Sequence, residues 1–265
     1  MKLFLLLALL ISSAAFAQNG PGPRIMCSFE NGYFRIFDGV QKYEKYIGGS
    51  VGQVQCNGDF GVLVSGSYFT TYFQGNFAQK YVGGNGAKVF VVRGRMAVAM
   101  MGSYLLVAKA GGQILEKYMS GNDTPVVEAS SSIAMIAMGS YIYATDGNRI
   151  AEKYVGGTQN PILVVGRNLG GALVGSYLVA YNNGTFSDNY IGSRGPRDSL
   201  VGGRQARLLA GSIGSYFVIY DADRSDYKSQ YVGSEGRIEV REEGAYHIAP
   251  NGRMTRYNMM TGSFE

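Results

Sequence analysis

The sequence predicts an all-β fold, a seven-bladed β-propeller of four-stranded antiparallel blades with an incomplete last blade, and three observations lead there. A tyrosine preceded by a tight turn recurs at Tyr33, Tyr68, Tyr104, Tyr141, Tyr177, Tyr216 and Tyr246, and a second follows at Tyr46, Tyr81, Tyr118, Tyr154, Tyr190, Tyr231 and Tyr257. Successive first tyrosines are 35, 36, 37, 36, 39 and 30 residues apart, so the chain is an array of units that cannot each bury a hydrophobic face alone. The 39 glycines, 20 tyrosines, absent tryptophan and 46% apolar residues supply a large core interrupted by turns every few residues.

The third unit shows the elements in order. Met96 to Met101 is an apolar run, Gly102-Ser103 a two-residue hairpin signal, and Tyr104 to Ala108 a second run of strand-forming residues. Gly66-Ser67, Gly139-Ser140, Gly175-Ser176 and Gly214-Ser215 occupy the same turn, with Asn31-Gly32 in the first unit and Gly244-Ala245 in the last. Asn-Gly and Gly-Ser both meet the demand of a primed turn for positive φ. A second hairpin is signalled at Asp38-Gly39, Gln74-Gly75, Gly111-Gly112, Asp146-Gly147, Asn183-Gly184 and Asn251-Gly252, each leading into a third strand that ends on the second tyrosine. Further glycines then precede a fourth run, clearest at Lys88–Val92, Pro125–Ala129, Pro161–Val165 and Arg237–Val240. Four strands in about 36 residues, seven times over, is propeller arithmetic. After Tyr257 only eight residues remain, so either the last blade has three strands or the strand phase is shifted by one. Gln18 to Arg24 contains Pro21 and Pro23 and is a poor closing strand. An outer-membrane barrel is the main rival fold, but its strands need ~9–11 residues to cross a bilayer, and these runs are shorter.

The unit, a strand, a Gly-Ser or Asn-Gly turn, a strand opening on tyrosine, an Asp-Gly or Asn-Gly turn and another strand, resembles the short-blade repeats of LVIVD-type and related bacterial exported propellers. The resemblance is architectural and implies fold alone, since the third strand of unit four reads Arg149-Ile-Ala-Glu-Lys-Tyr154 in place of Leu-Val-Ile-Val-Asp.

Residues 1–17 read as an export signal, with Lys2, an apolar run from Leu3 to Ile11 and the small-x-small site Ala15-Phe16-Ala17, leaving 18–265 as one domain in the periplasm or outside the cell. Loss of Lys2 leaves 23 basic against 19 acidic residues, too mild an excess to point to nucleic acid. No later stretch is long and apolar enough to span a membrane. Compartment logic favours a disulfide between Cys27 and Cys56 over two free thiols. Placing them on the first and fourth strands of one sheet, however, would hold them about 14 Å apart unless the chain swings back inward.

Fourteen of the twenty tyrosines occupy the two repeated positions, and packing between adjacent blades is the expected role. The functional alternative is a lectin-like array with one sugar stacked per blade. Lys45, Lys80, Lys117 and Lys153 precede four of the second tyrosines and are expected on a solvated edge. Arg93, Arg95, Arg167, Arg204, Arg207 and Arg241 lie near the expected connections from fourth strand to next first strand, which would place them together on one face with the second hairpins. Arginine there suits forked recognition of carboxylate or phosphate. Asp221, Asp223 and Asp226 could offer oxygens to calcium, but the loop lacks the central glycine and distant glutamate of an EF-type site, and an ordinary polar loop is the expectation. His247 is the only histidine, so a multi-histidine metal site cannot be built, and no nucleophile elbow or phosphate loop is present.

These readings converge on an exported, monomeric binding or assembly scaffold without cofactor or catalytic residues, recognising a protein or an anionic envelope or glycan ligand through loops on one face. A carbohydrate-binding lectin-like propeller is the alternative, and a propeller enzyme the third reading.

Overall fold

A computed structural model describes residues 24–265 except 85, 120–122, 158–159, 193, 196 and 203–206; the expected leader 1–17 and Arg204 lie outside the described residues. The chain is an all-β seven-bladed propeller of seven antiparallel sheets. Blade 1 is β1 (Met26–Glu30), β2 (Tyr33–Phe37) and β3 (Lys42–Tyr46). Blade 2 is β4 (Gly52–Asn57), β5 (Phe60–Ser65), β6 (Tyr68–Phe73) and β7 (Asn76–Tyr81). Blade 3 is β8 (Ala87–Arg93), β9 (Met96–Met101), β10 (Tyr104–Lys109) and β11 (Ile114–Tyr118). Blade 4 is β12 (Val126–Ala129), β13 (Ala134–Met138), β14 (Tyr141–Thr145) and β15 (Ile150–Tyr154). Blade 5 is β16 (Ile162–Val165), β17 (Leu169–Val174), β18 (Tyr177–Asn182) and β19 (Thr185–Tyr190). Blade 6 is β20 (Ser199–Gly202), β21 (Leu208–Ile213), β22 (Tyr216–Asp221) and β23 (Asp226–Tyr231). Blade 7 is β24 (Arg237–Arg241), β25 (Gly244–Ile248), β26 (Met254–Asn258) and the two-residue β27 (Ser263–Phe264).

The blade boundaries correct the expected strand phase by one. β8 pairs with β9 in a register that matches Arg93 with Met96, leaving only Gly94-Arg95 as a hairpin turn, with Gly94 at φ 54°. A two-residue turn forces its flanking strands into the same sheet. The runs expected as fourth strands are therefore the first strands of the following blades. These first strands lie against one another from blade to blade and form the inner ring. The same shift resolves the cysteine geometry: Cys27 on β1 and Cys56 on β4 belong to neighbouring blades, their Cα atoms are 6.1 Å apart, and the disulfide ties blade 1 to blade 2.

In the last unit the shift has a second consequence. Gly244-Ala245 is not a turn but the start of β25, so Tyr246 pairs with Arg256 and Tyr257 with Ala245, on opposite faces of the sheet. The seventh copy of the tyrosine motif thus does not form the pair that the other six form.

Second strands explain why the units cohere. β5, β9, β17 and β21 are buried at every residue, and so is β13, because a neighbouring blade covers each face. Blade 3 alternates accordingly. Ala97, Ala99 and Met101 pack with Phe60, Val62 and Val64 of blade 2, whereas Met96, Val98 and Met100 pack with Ala134, Ile136 and Met138 of blade 4. Six such clusters join consecutive blades from 1 to 7.

The junction of blade 7 with blade 1 is built differently. Among the described residues no buried cluster, hydrogen bond, ion pair or ring contact spans it. Where Leu106, Tyr143, Val179 and Val218 turn an apolar side chain toward the preceding blade, blade 1 carries Arg35, ion-paired to Glu30 at 2.9 Å and Glu44 at 3.5 Å. The corresponding free face of blade 7 carries Tyr246 with the guanidinium of Arg241 4.7 Å from its ring centroid and that of Arg256 at 5.8 Å.

Blade 7 is held to blade 6 through Asp221. Its carboxylate, fully buried, accepts from Tyr257 Oη at 2.9 Å, Arg224 Nη1 at 2.7 Å and the amides of Asp223 and Arg224. Burial and that carboxylate push the Tyr257 hydroxyl up to about 12, so it donates at any physiological pH. Arg224 also reaches the carbonyls of Met259 and Met260. Asp221→Ala leaves the buried Tyr257 hydroxyl and the amides of Asp223 and Arg224 without their acceptor and should cost about 1–3 kcal/mol in chemical denaturation, against about 1 kcal/mol for Tyr257→Phe.

His247 lies in the same junction, 1% exposed, with its ring 5.8 Å from that of Phe217 and Nε2 unpartnered. Burial holds its pKa below the ordinary 6.5, opposed in part by a backbone contact with Ser234. The folded chain therefore prefers neutral imidazole, and the unfolded chain takes up the proton first. This stabilisation is complete above the unfolded value near 6.5 and is lost as pH falls below it. Thermal melts between pH 7 and 5 should show a decline that His247→Leu flattens.

Candidate functional site

The repeated tyrosines form the most regular surface of the molecule. Tyr33 and Tyr46, Tyr68 and Tyr81, Tyr104 and Tyr118, Tyr141 and Tyr154, Tyr177 and Tyr190, and Tyr216 and Tyr231 are direct cross-strand partners on the third and fourth strands of blades 1–6. Their ring centroids are 5.0–5.8 Å apart in tilted or edge-on pairs. After each second tyrosine the next amide donates to a turn carbonyl between the second and third strands: Ile47 to Gly32, Val82 to Ser67, Met119 to Ser103, Val155 to Ser140, Ile191 to Ser176 and Val232 to Ser215. The pair is pinned at a turn, and the outer ring stays in solvent.

For the second tyrosines of blades 1–6 this placement corrects the expectation of packing between blades, whereas Tyr68, Tyr141, Tyr177 and Tyr257 do pack at the interfaces between neighbouring blades. Tyr46, Tyr81, Tyr118, Tyr154, Tyr190 and Tyr231 are each 64–67% exposed. They end the outermost strand, where no further strand covers them. Each first tyrosine supports its partner's ring, a contact worth roughly 0.5–1.5 kcal/mol. The result is six near-identical aromatic platforms around the rim, each beside a turn.

Three of the four lysines before these tyrosines reach the next blade; Lys45 forms no such pair among the described residues. Lys80 pairs with Glu116 at 2.6 Å, Lys117 with Glu152 at 3.0 Å and Lys153 with Asp188 at 2.5 Å. Sequence spacing suggested only neighbouring charges within one strand; the signal for a cross-blade pair was the acid two residues before the following second tyrosine. These outer strands thus neutralise their own charge beside the rim.

The arginines sit on hairpins between first and second strands rather than on connections between blades. In an antiparallel blade that end also carries the turns between third and fourth strands, so the expected face is retained while the connectivity changes. Arg95 forks onto Asp59 of blade 2 at 3.0 and 2.5 Å, with its guanidinium 5.3 Å from the Phe73 ring centroid. Arg207 is ion-paired with Asp223, and Arg241 with Glu239 at 2.8 Å. Arg93 ends β8 and Arg167 caps the blade 5 hairpin; both are exposed, and neither meets a carboxylate among the described residues. Arg93 and Arg95 lie at the blade 3 hairpin, and Arg167, Arg207 and Arg241 at the corresponding hairpins of blades 5, 6 and 7.

The acidic loop of blade 6 is committed elsewhere: Asp221 to Arg224 and Tyr257, Asp223 to Arg207, and Asp226 to Lys228 at 2.8 Å. Among the described residues no three His, Cys, Asp or Glu side chains converge on a cation position, and no helix is long and apolar enough to cross a membrane.

No protein-family model matches the chain, and no curated protein is similar to it. Solved structures are similar at low identity. AztD of Citrobacter koseri is 12% identical over 91% of this chain and 79% of its own, with a TM-score of 0.40. Sqt1 of Saccharomyces cerevisiae is 11% identical over 92% and 82%, at 0.38, and Hsv2p of Kluyveromyces lactis 12% identical over 92% and 96%, at 0.37. Likenesses this distant say nothing about a site, so the functional argument rests on the residues of this chain.

Proposed function

We propose that the protein is an exported, non-catalytic binding scaffold whose tyrosine rim holds a long ligand of repeating neutral, hydroxyl-rich units, a polysaccharide. The observation that carries this reading is the sixfold recurrence of one exposed platform at constant depth. Aromatic faces take up the apolar face of a sugar ring, and phenol hydroxyls and turn backbone supply polar partners. The ion pairs beside the rim leave little net charge to select a charged ligand. Identical weak sites in series favour a ligand that repeats, because each further engagement is intramolecular.

Tyr118→Ala, Tyr154→Ala and Tyr190→Ala should each weaken polysaccharide retention in affinity electrophoresis by no more than about tenfold, and the three together by about a hundredfold or more. Each substitution removes one ring pair and should lower the melting temperature by only a few degrees, so the variants stay folded at assay temperature. Retention by the triple variant equal to that of the parent chain, or binding of short oligosaccharides as tight as that of long ones, would falsify the rim.

A second reading is favoured by Arg93 and Arg167, which are exposed and meet no carboxylate among the described residues. Such guanidinium groups suit an anionic envelope component or an acidic protein patch. Replacing Arg93, Arg167 and Arg204 by Ala together should reduce retention on anionic-lipid vesicles severalfold, with a weaker salt dependence. Unchanged retention removes this reading.

A further inference from the structure

Blade 1 departs from blades 2–6 at its inner edge. Its strands β1, β2 and β3 occupy the second, third and fourth positions, as the Asn31-Gly32 turn and the Tyr33–Tyr46 pair show. Among the described residues nothing pairs with the other edge of β1, where β4, β8, β12, β16 and β20 pair with the second strands of blades 2–6. Burial follows the pairing. Those second strands are buried throughout, whereas all five residues of β1 are half-buried or exposed, and Met26 is 64% exposed.

The edge has none of the usual protection. β1, Met-Cys-Ser-Phe-Glu, contains no proline or lysine and no bulge, and its outward amides and carbonyls form a pairing template. A cavity of about 290 Å³ lies beside it, lined by Met26, Ser28, Arg35, Phe37 and Lys42. Met26, the cross-strand partner of Phe37, is the apolar side chain next to the open edge on that face. The sequence just before β1 is ill suited to filling the position itself, since Pro21 and Pro23 lack the amides a ladder requires.

We propose that the open edge of β1 is a strand-acceptor site, which takes an extended segment of another polypeptide as the fourth strand of blade 1. The fold itself indicates the occupant: in all six other blades the same position holds an antiparallel strand of four to seven residues. Recognition would come mainly from main-chain hydrogen bonds, with an apolar side chain packed beside Met26.

The test uses labelled synthetic peptides with the sequences of β4, β8, β12, β16 and β20 added to the full chain. At least one should bind saturably at one per chain by fluorescence anisotropy and slow amide exchange of β1 about tenfold or more. A central proline in that peptide should abolish the effect. A second chain, with the Ala87–Arg95 sequence inserted directly before Ile25 so that the strand is supplied in cis, should fold with an equal or higher melting temperature and no longer bind peptide. Absence of saturable binding by all five peptides overturns the proposal, as does undiminished binding by the inserted chain. A dimer in light scattering that the peptides disperse would assign the edge to a second copy and overturn it as stated.

Discussion

Burial of each second strand between two neighbouring blades is the constraint on which the rest of the structure depends. A strand such as β9, Met-Ala-Val-Ala-Met-Met, has no solvent face and cannot be satisfied by its own sheet. Burying each of its larger side chains is worth about 1.5–3 kcal/mol, and each of the six junctions from blade 1 to blade 7 buries several from each side. An exposed lysine–carboxylate pair such as Lys117–Glu152 contributes less than about 1 kcal/mol. The apolar faces therefore hold the blades together, and the polar contacts set their register. Those contacts repeat: Lys109 to the Asp146 carbonyl, Arg149 to that of Gly184, Asn182 to that of Ala222 and Arg224 to that of Met259 link the outer turns of blades 3 to 7 in succession.

Much of this was legible in the sequence, and what was not has identifiable causes. The b-strand turns before the first tyrosines are nearly uniform, Gly-Ser five times, because a two-residue hairpin needs positive φ; that uniformity made the repeat and the strand count readable. The turns between first and second strands share no such signature. Gly58-Asp59, Gly94-Arg95, Ser130 to Ile133 and Gly166 to Asn168 differ in length and composition, so the first strand is easily assigned to the blade before it. Chain spacing carried a usable clue in the last unit. Residues 232–236 separate Tyr231 from β24, as residues 82–86 separate Tyr81 from β8, so β24 begins where a first strand should. The tyrosine rim was hidden for a different reason: identical placement in every unit is equally required of a core residue and of a rim residue. The signal that distinguishes them is the strand itself, Glu-Lys-Tyr in blades 1, 3 and 4, whose charged neighbours belong on an outermost strand.

The two end blades show the same constraint in reverse. Where blades 2–6 turn aliphatic or aromatic side chains to a neighbour, the outward faces of the two end blades carry charged groups. Arg35 with Glu30 and Glu44 on blade 1, and Arg241, Arg256 and Glu239 around Tyr246 on blade 7, do for the end sheets what capping repeats do in other arrays. Tyr246 belongs to the repeated motif in sequence but has been recruited, by a one-strand shift, as the aromatic base of that charged face. The disulfide strengthens the weaker end: blade 1 has only three strands, and Cys27–Cys56 ties it covalently to the blade that covers its apolar side.

The two candidate surfaces differ in kind because repetition acts on them differently. The tyrosine pairs sit where every blade obeys one register, so their geometry is copied six times without further selection on each copy. The hairpins carrying Arg93, Arg167 and Arg207 lie where the repeat is least uniform, and each arginine has a different local partner or none. A surface copied by the fold suits a ligand that itself repeats, with weak contacts that accumulate. A surface that varies from blade to blade suits one ligand of fixed shape, read by a few residues. The open edge of β1 belongs to neither class: it occurs once, where the repeat is interrupted, and what it offers is the backbone that the other blades have already paired.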